Sequence, residues 1–173
     1  LLSWDEGNYD LAVADFRKAG ALARAIGDRK LEGSSLNNLS LVYDEQGNYD
    51  TSLKQYRRVL ELYDGANFPR GVGDTLGNIG GVHLLLGHFR EALGYYQRAL
   101  KISEQLKSSA SMSQDHGNIG LCLLGLGEVD AALALARLTA LYNATAMPLL
   151  QFSVATKVFC TNTAFEVASE ALQ

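Results

Sequence analysis

The sequence predicts an all-α chain, a solenoid of antiparallel helix pairs, and three observations carry that prediction. Gly7, Gly47, Gly87 and Gly127 recur every 40 residues, and a fixed period of this length marks an array in which each unit leaves an apolar face bare until a neighbour stacks on it. Registered on those glycines, the flanking positions fill as columns: Leu36, Leu76 and His116; Asn38, Asn78 and Asn118; Leu39, Ile79 and Ile119; Ala12, Ser52, Ala92 and Ala132; Phe16, Tyr56, Tyr96 and Ala136. Within each unit the apolar residues step by three and four, which is the period of a helix face and not of a strand.

The elements follow in order. The first unit, residues 1–33, is partial: the chain enters mid-pattern at Leu1, with Gly7, Ala12 and Phe16 in place and a helix stop at Gly27-Asp28. The second unit, about 34–73, opens with a helix A on Leu36, Leu39 and Tyr43, turns at Gly47, and continues in a helix B through Ser52 and Tyr56 to Asp64-Gly65. The third, about 74–113, repeats this with Leu76, Ile79 and His83, then Ala92, Tyr96, Ala99, Leu100 and Ser103, ending at Ser108-Ser109. In the fourth, about 114–142, His116, Ile119 and Leu123 precede Ala132 and Ala136. Glycine at each A-to-B corner supplies the positive φ that a tight helix-to-helix turn needs. The small residues of the Ala12 column let the two helices of a pair approach closely.

Residues 143–173 break the rhythm, since Val167 stands where a fifth glycine would fall and Val158 where the asparagine column would continue. Phe152, Val158, Phe159 and Phe165 need burial, Pro148 suits a first helical turn, and Thr163-x-x-Glu166 reads as a capping box. A terminal capping pair over the last unit is expected. The alternative is a tail that docks into the groove of its own or a neighbouring molecule. The uncharged run from Leu138 to Thr156 includes Thr139, Asn143, Thr145, Gln151 and Ser153, too polar for a membrane span.

Composition narrows the function classes. A hydrophobic content of 47% with 20% charged residues is globular. The net charge of -4 and a sequence pI of about 5.3 provide no broad basic field, which argues against nucleic acid or an anionic membrane as partner. Cys122 and Cys160 are too few for a disulfide framework, and no signal-like segment opens the chain, so a reducing, cytoplasmic setting is expected.

The columns resemble those of the tetratricopeptide repeats. The pattern W-x2-L-G-x2-Y followed by A-x3-F is met as Leu36-x2-Leu39-Ser40-x2-Tyr43 with Ser52-x3-Tyr56, as Leu76-x2-Ile79-Gly80-x2-His83 with Ala92-x3-Tyr96, and as His116-x2-Ile119-Gly120-x2-Leu123 with Ala132-x3-Ala136. The resemblance covers roughly residues 1–142. It departs from the family in unit length, 40 residues here against about 34, and in the closing proline, replaced by Asp64 and Glu104. The longer unit is similar to that of Partner-of-Inscuteable type modulators, kinesin light chains and bacterial peptide-sensing regulators. The resemblance implies a right-handed superhelix that serves as a protein-interaction scaffold, holding an extended peptide in a concave groove lined by helix A. It also leaves open a regulatory module whose groove takes a signalling peptide or its own tail to control an attached output domain.

On that resemblance the ligand contacts are expected at Asn38, Asn78 and Asn118, one carboxamide per unit, each able to donate to and accept from the backbone of an extended chain. Hydrogen bonding of these side chains within the helices is the competing reading. Further inward positions are Ser34, Asn37, Leu41 and Asp44; Asp74, Gly77, Gly81 and Leu84; and Gln114, Gly117, Leu121 and Leu124. The glycines either admit a ligand backbone or serve close packing. Arg70 is a candidate for a ligand carboxylate. The lysines by which chaperone-tail binders clamp a terminal carboxylate are missing, since those sites hold Asn37, Leu41, Gly77 and Gly81.

No catalytic constellation is found, and neither enzymatic activity, a cofactor nor a metal is expected. Gly71-Val72-Gly73-Asp74-Thr75-Leu76-Gly77 places its third glycine one residue too late for a dinucleotide loop and follows no strand. His83 and His88 are five apart and His116 and Cys122 six apart, spacings that do not share a helical face as a metal pair requires. His83 falls in the Tyr43 column and His116 in the Leu36 column, so both are expected to pack between helices, and Cys122 to be a buried small residue.

Overall fold

A computed structural model describes residues 9–145 as seven helices: α1 (Tyr9–Ala25), α2 (Arg29–Glu45), α3 (Tyr49–Gly65), α4 (Pro69–Leu85), α5 (Phe89–Gln105), α6 (Ser109–Gly125) and α7 (Val129–Thr145). Each is 17 residues long and three residues separate successive helices, so two helices and two corners make up the 40-residue period. The six residues beyond the common unit length therefore extend the helices and leave the corners short. No strand occurs among the described residues. The capping segment expected over residues 143–173 lies, past Thr145, outside the described residues.

All six corners have one geometry. The middle residue of each has positive φ: Gly27 (75°), Gly47 (71°), Asn67 (47°), Gly87 (74°), Lys107 (52°) and Gly127 (80°). At Gly47 the backbone N–H donates to Asp44 O at 2.9 Å while Asn48 N–H donates to Tyr43 O at 2.8 Å, and the same two bonds recur at the other corners. This is the paired hydrogen-bond closure that satisfies orphan carbonyls at a helix C-terminus. The stops expected at Asp64-Gly65 and Ser108-Ser109 are displaced. α3 runs through Gly65 and turns at Asn67, while Ser108 precedes α6 and Ser109 is its first residue. Two helix starts are chemically marked: Asp28 Oδ1 accepts from Leu31 N–H at 2.9 Å, and Pro69 occupies the first position of α4, where its missing N–H costs nothing.

The helices form two compact units, divided between Val82 and His83. In the first, the core is built from Ala12 and Ala23 of α1, Leu39 and Val42 of α2, Tyr56, Val59, Leu62 and Tyr63 of α3, and Leu76, Ile79 and Val82 of α4. In the second, Ala92 and Tyr96 of α5 meet Ile119, Cys122 and Leu123 of α6 and Ala132 of α7, flanked by Leu84, Leu93, Leu100 and Leu135. The alanine column behaves as its sizes require: Ala12, Ser52, Ala92 and Ala132 are 2%, 0%, 0% and 0% exposed. Hydroxyls buried in these cores bond to carbonyls of their own helix, Ser40 to Leu36 O at 2.8 Å and Thr75 to Gly71 O at 2.8 Å, so they carry no unsatisfied donor inward.

Tyr63 is the large side chain for which the first unit makes room by omission. A Cβ on Gly33 would stand 2.5 Å from its Cε1, and one on Gly71 2.7 Å from its Cδ2. Its ring meets Phe68 edge-on at 5.1 Å, and its hydroxyl lies 3.1 Å from Ser34 Oγ. Burial raises the pKa of that hydroxyl.

Candidate functional site

In the first unit, the positions expected to meet a ligand fall on α2 and α4. Ser34, Asn37, Asn38 and Leu41 step along one face of α2, and Asp74, Gly77, Asn78 and Gly81 along the matching face of α4. Asn38 is exposed, whereas Asn37, Leu41, Gly77, Asn78 and Gly81 are half-buried. The two faces are tied by a side-chain bond, Asn78 Nδ2 donating to Asn37 Oδ1 at 3.1 Å. That bond fixes which way the Asn78 amide faces and leaves its Oδ1 and one N–H for another partner. Asn38 makes no side-chain hydrogen bond among the described residues. A Cβ placed on Gly77 would have nothing within 4 Å, so the absent side chain leaves open space beside the amide pair.

Around this face the electrostatics are acidic. Asp74 is exposed, with Arg70 one turn before it in the first turn of α4. Partial desolvation raises the Asp74 carboxyl pKa, and the Arg70 charge opposes the rise. Asp44, also expected to face a ligand, accepts at Oδ2 from the Tyr56 hydroxyl at 2.6 Å. Burial raises the Asp44 pKa, and that of the Tyr56 hydroxyl as well.

In the second unit the corresponding face belongs to α6. Gln114 and Leu124 are exposed, Asn118 and Leu121 half-buried and Gly117 buried. Asn118 makes no side-chain hydrogen bond among the described residues. Beneath this face Ser103 Oγ donates to Asp115 Oδ2 at 2.7 Å. His116 is 7% exposed, as its Leu36 column demands, and burial lowers its pKa, with Glu104 opposing. Cys122 is fully buried and its thiol is pushed up to about 11 by burial. Leu84 packs against the core of this unit.

The histidine spacing misled in one respect. α4 ends at Leu85, so His88 lies beyond the corner and folds back, and the His83 and His88 ring centroids are 5.9 Å apart. His83 also stacks on Tyr95 at 5.3 Å, its expected packing role, and Arg98 covers the same Tyr95 ring at 5.6 Å. Among the described residues no group of three or more His, Cys, Asp and Glu could hold a metal ion, and no helix is long and apolar enough to cross a membrane.

Column reading missed the Asn37–Asn78 bond, because its partners sit in different columns of adjacent units. It also missed the second row of left-handed corners, although Asn67 and Lys107 fall 40 and 80 residues after Gly27. Registering on Gly27 as well as on Gly47 would have found them.

Comparison with known proteins agrees with this architecture. BtubC (BKLC) from P. vanneervenii superposes with a TM-score of 0.81 at 20% identity, over 99% of this chain and 73% of that one. A Rap protein complexed with Competence and Sporulation Factor gives 0.74 at 19% identity, over 98% of this chain and 48% of the Rap chain. A Podosopora anserina protein of the kinesin light chain type, with nearly identical TPR-like repeats, gives 0.73 at 13% identity over 98% and 86%. At such identities the likeness is one of fold. No curated protein sequence matches significantly. The family model described as tetratricopeptide repeat matches residues 1–65 and 71–139. With that match over most of its length, and with paired 17-residue helices on a 40-residue period, the chain belongs to the tetratricopeptide-repeat family, as an all-α solenoid.

Proposed function

We propose that this chain is a protein-interaction scaffold that binds an extended peptide segment along its A-type helices, with the α2 and α4 face of the first unit as a principal contact. The observation that carries the reading is the open space at Gly77 beside the oriented Asn37–Asn78 pair. Glycine inside a helix costs about 0.5–1 kcal/mol relative to alanine. A Cβ would meet nothing here, so packing does not account for the cost. A ligand backbone drawn close to the helix does, and the free oxygen of Asn78 and the whole amide of Asn38 suit its N–H and C=O groups. Asp74 favours a cationic side chain on that ligand, while Arg70 can take a carboxylate. Asn118, Gln114 and Leu121 offer the same chemistry on α6 of the second unit.

A second reading is favoured by the likeness to a Rap protein solved with Competence and Sporulation Factor. In it the ligand is a short signalling peptide, or the chain's own residues 146–173, and occupancy controls an attached output domain. Both readings use the same face.

The test begins with a displayed peptide library selected on the folded chain, followed by titration calorimetry of the selected peptides on variants of unchanged circular dichroism. Gly77→Leu and the triple variant Asn38→Ala, Asn78→Ala, Asn118→Ala are expected to weaken binding at least about tenfold, the loss of roughly 1.4 kcal/mol. Arg57→Ala, on the exposed side of α3, is expected to leave affinity unchanged. Equal binding by all variants would sink the assignment of this face.

A further inference from the structure

In the first unit the asparagine row is flanked by two rows of opposite chemistry. Four positions before Asn38 and Asn78 stand Ser34 and Asp74, and three positions after them stand Leu41 and Gly81. At a rise of 1.5 Å per residue these rows lie about 6 Å and about 4.5 Å from the asparagines along the helix axes. The first row is polar and acidic. Ser34 Oγ lies 3.1 Å from the Tyr63 hydroxyl, and the Asp74 charge acts on that same hydroxyl. Asp74 itself enters no hydrogen bond or ion pair among the described residues, and Arg70 acts on it through its charge alone. The second row is apolar: Leu41 and Gly81 are half-buried and neither carries a hydrogen-bonding side chain.

An extended chain directs its N–H and C=O groups across the line of its side chains, and successive side chains point in opposite directions. A backbone that turns its polar groups down onto the asparagines therefore sends its side chains alternately toward the starts and toward the ends of the A helices. Each flanking row then lies within reach of every second side chain. We propose, on the reading of α2 and α4 as the peptide face, that the chain recognises segments in which a lysine or arginine and an apolar residue stand an odd number of positions apart. The cation meets Asp74, and the apolar side chain covers Leu41 and Gly81. An even separation turns both side chains the same way, so that either the apolar group lands on the acidic row or the cation on the apolar one. A carboxylate partly withdrawn from water without a partner is costly, and a ligand cation offsets that cost. The asparagines, which bond to backbone, read no sequence, so the two rows set it.

A displayed random-peptide library selected on the full 173-residue chain tests this. Among selected peptides that Gly77→Leu no longer binds, basic and apolar residues are expected to recur one or three positions apart and not two. The tightest of them, synthesised, is then altered in two ways and titrated by calorimetry. Replacing its basic residue by glutamine is expected to weaken binding at least about tenfold on the parent but less than about twofold on Asp74→Asn, a near-isosteric change at an exposed position. Inserting one alanine between the basic and apolar residues is expected to cost at least about tenfold, and inserting two to recover most of the loss. The peptide-side changes need no altered protein. Peptides that depend on Gly77 yet show no odd separation, or a glutamine change felt equally by Asp74→Asn, would overturn the rule while leaving the face assignment standing. Failure to select any peptide, or selection of peptides indifferent to Gly77→Leu, would overturn both.

Discussion

Replacing Gly33 by alanine adds one methyl group inside α2, and the packing around Tyr63 decides what that does. The new Cβ would stand 2.5, 2.9 and 3.1 Å from Cε1, Cδ1 and Cζ of the ring, well inside van der Waals contact. The ring cannot retreat, since a Cβ on Gly71 would touch its Cδ2 at 2.7 Å, Phe68 meets it edge-on, and its hydroxyl is held 3.1 Å from Ser34 Oγ. Overpacking a filled core costs about 1–3 kcal/mol. Against this stands the helix preference for alanine over glycine, about 0.5–1 kcal/mol. Gly33→Ala should therefore lower stability by about 1–2 kcal/mol. Urea unfolding followed by far-ultraviolet circular dichroism reads the difference, and shrinking the ring in a Gly33→Ala, Tyr63→Leu double variant should recover part of it relative to Tyr63→Leu alone. A Gly33→Ala protein as stable as the parent would refute the claim that Tyr63 fills the space that glycine leaves.

The same substitution at Gly77, where a Cβ meets nothing within 4 Å, should raise stability by about 0.5–1 kcal/mol in the same urea titration while weakening peptide binding. Lys107 adopts φ 52°, a conformation that costs a residue with a side chain about 1–2 kcal/mol, so Lys107→Gly should raise the melting temperature; Gly47→Ala, at φ 71° with no steric neighbour, should lower it. For His116, burial depresses the folded pKa below the unfolded value of 6.5. The unfolded state thus binds the proton more readily, and stability falls as pH drops through 6.5 toward the folded pKa, by at most about 1.4 kcal/mol per pH unit. His116→Leu, which supplies the residue found in that column at positions 36 and 76, should remove this component from thermal melts recorded between about pH 8 and pH 5.

The helix pairs were legible in the sequence because two physical demands repeat with the period. One is the positive φ after each A helix, met by Gly47, Gly87 and Gly127; the other is the small residue at closest approach, met by Ala12, Ser52, Ala92 and Ala132. What stayed hidden did not repeat. The first turns of α2, α4 and α6, from Arg29, Pro69 and Ser109, carry no steady apolar stripe, so the A helices begin earlier than their periodicity shows. Asn67 and Lys107 turn their corners without being glycine, because the hydrogen-bond closure holds the backbone there whatever the side chain. The ring of Tyr63 and the gaps at Gly33 and Gly71 belong to three helices, and only their meeting shows that one explains the others.

The face columns differ from the packing columns in a way that bears on partner choice. At the closest approach of the two helices of a pair, the Ala12, Ser52, Ala92 and Ala132 column keeps its size, because a larger residue would clash. On the α2, α4 and α6 faces the columns vary freely: Ser34, Asp74 and Gln114; Asn37, Gly77 and Gly117; Leu41, Gly81 and Leu121. Between them runs one column that does not vary, Asn38, Asn78 and Asn118. Asn38 is exposed and Asn118 half-buried, and neither bonds to a side chain among the described residues, whereas Asn78 donates to Asn37 Oδ1 at 3.1 Å. In the proposed peptide-binding role, the column answers a demand from outside the fold. A peptide backbone, which offers the same N–H and C=O at every step whatever its sequence, makes that kind of demand on a carboxamide. The variable columns on either side are then where selectivity for its side chains belongs.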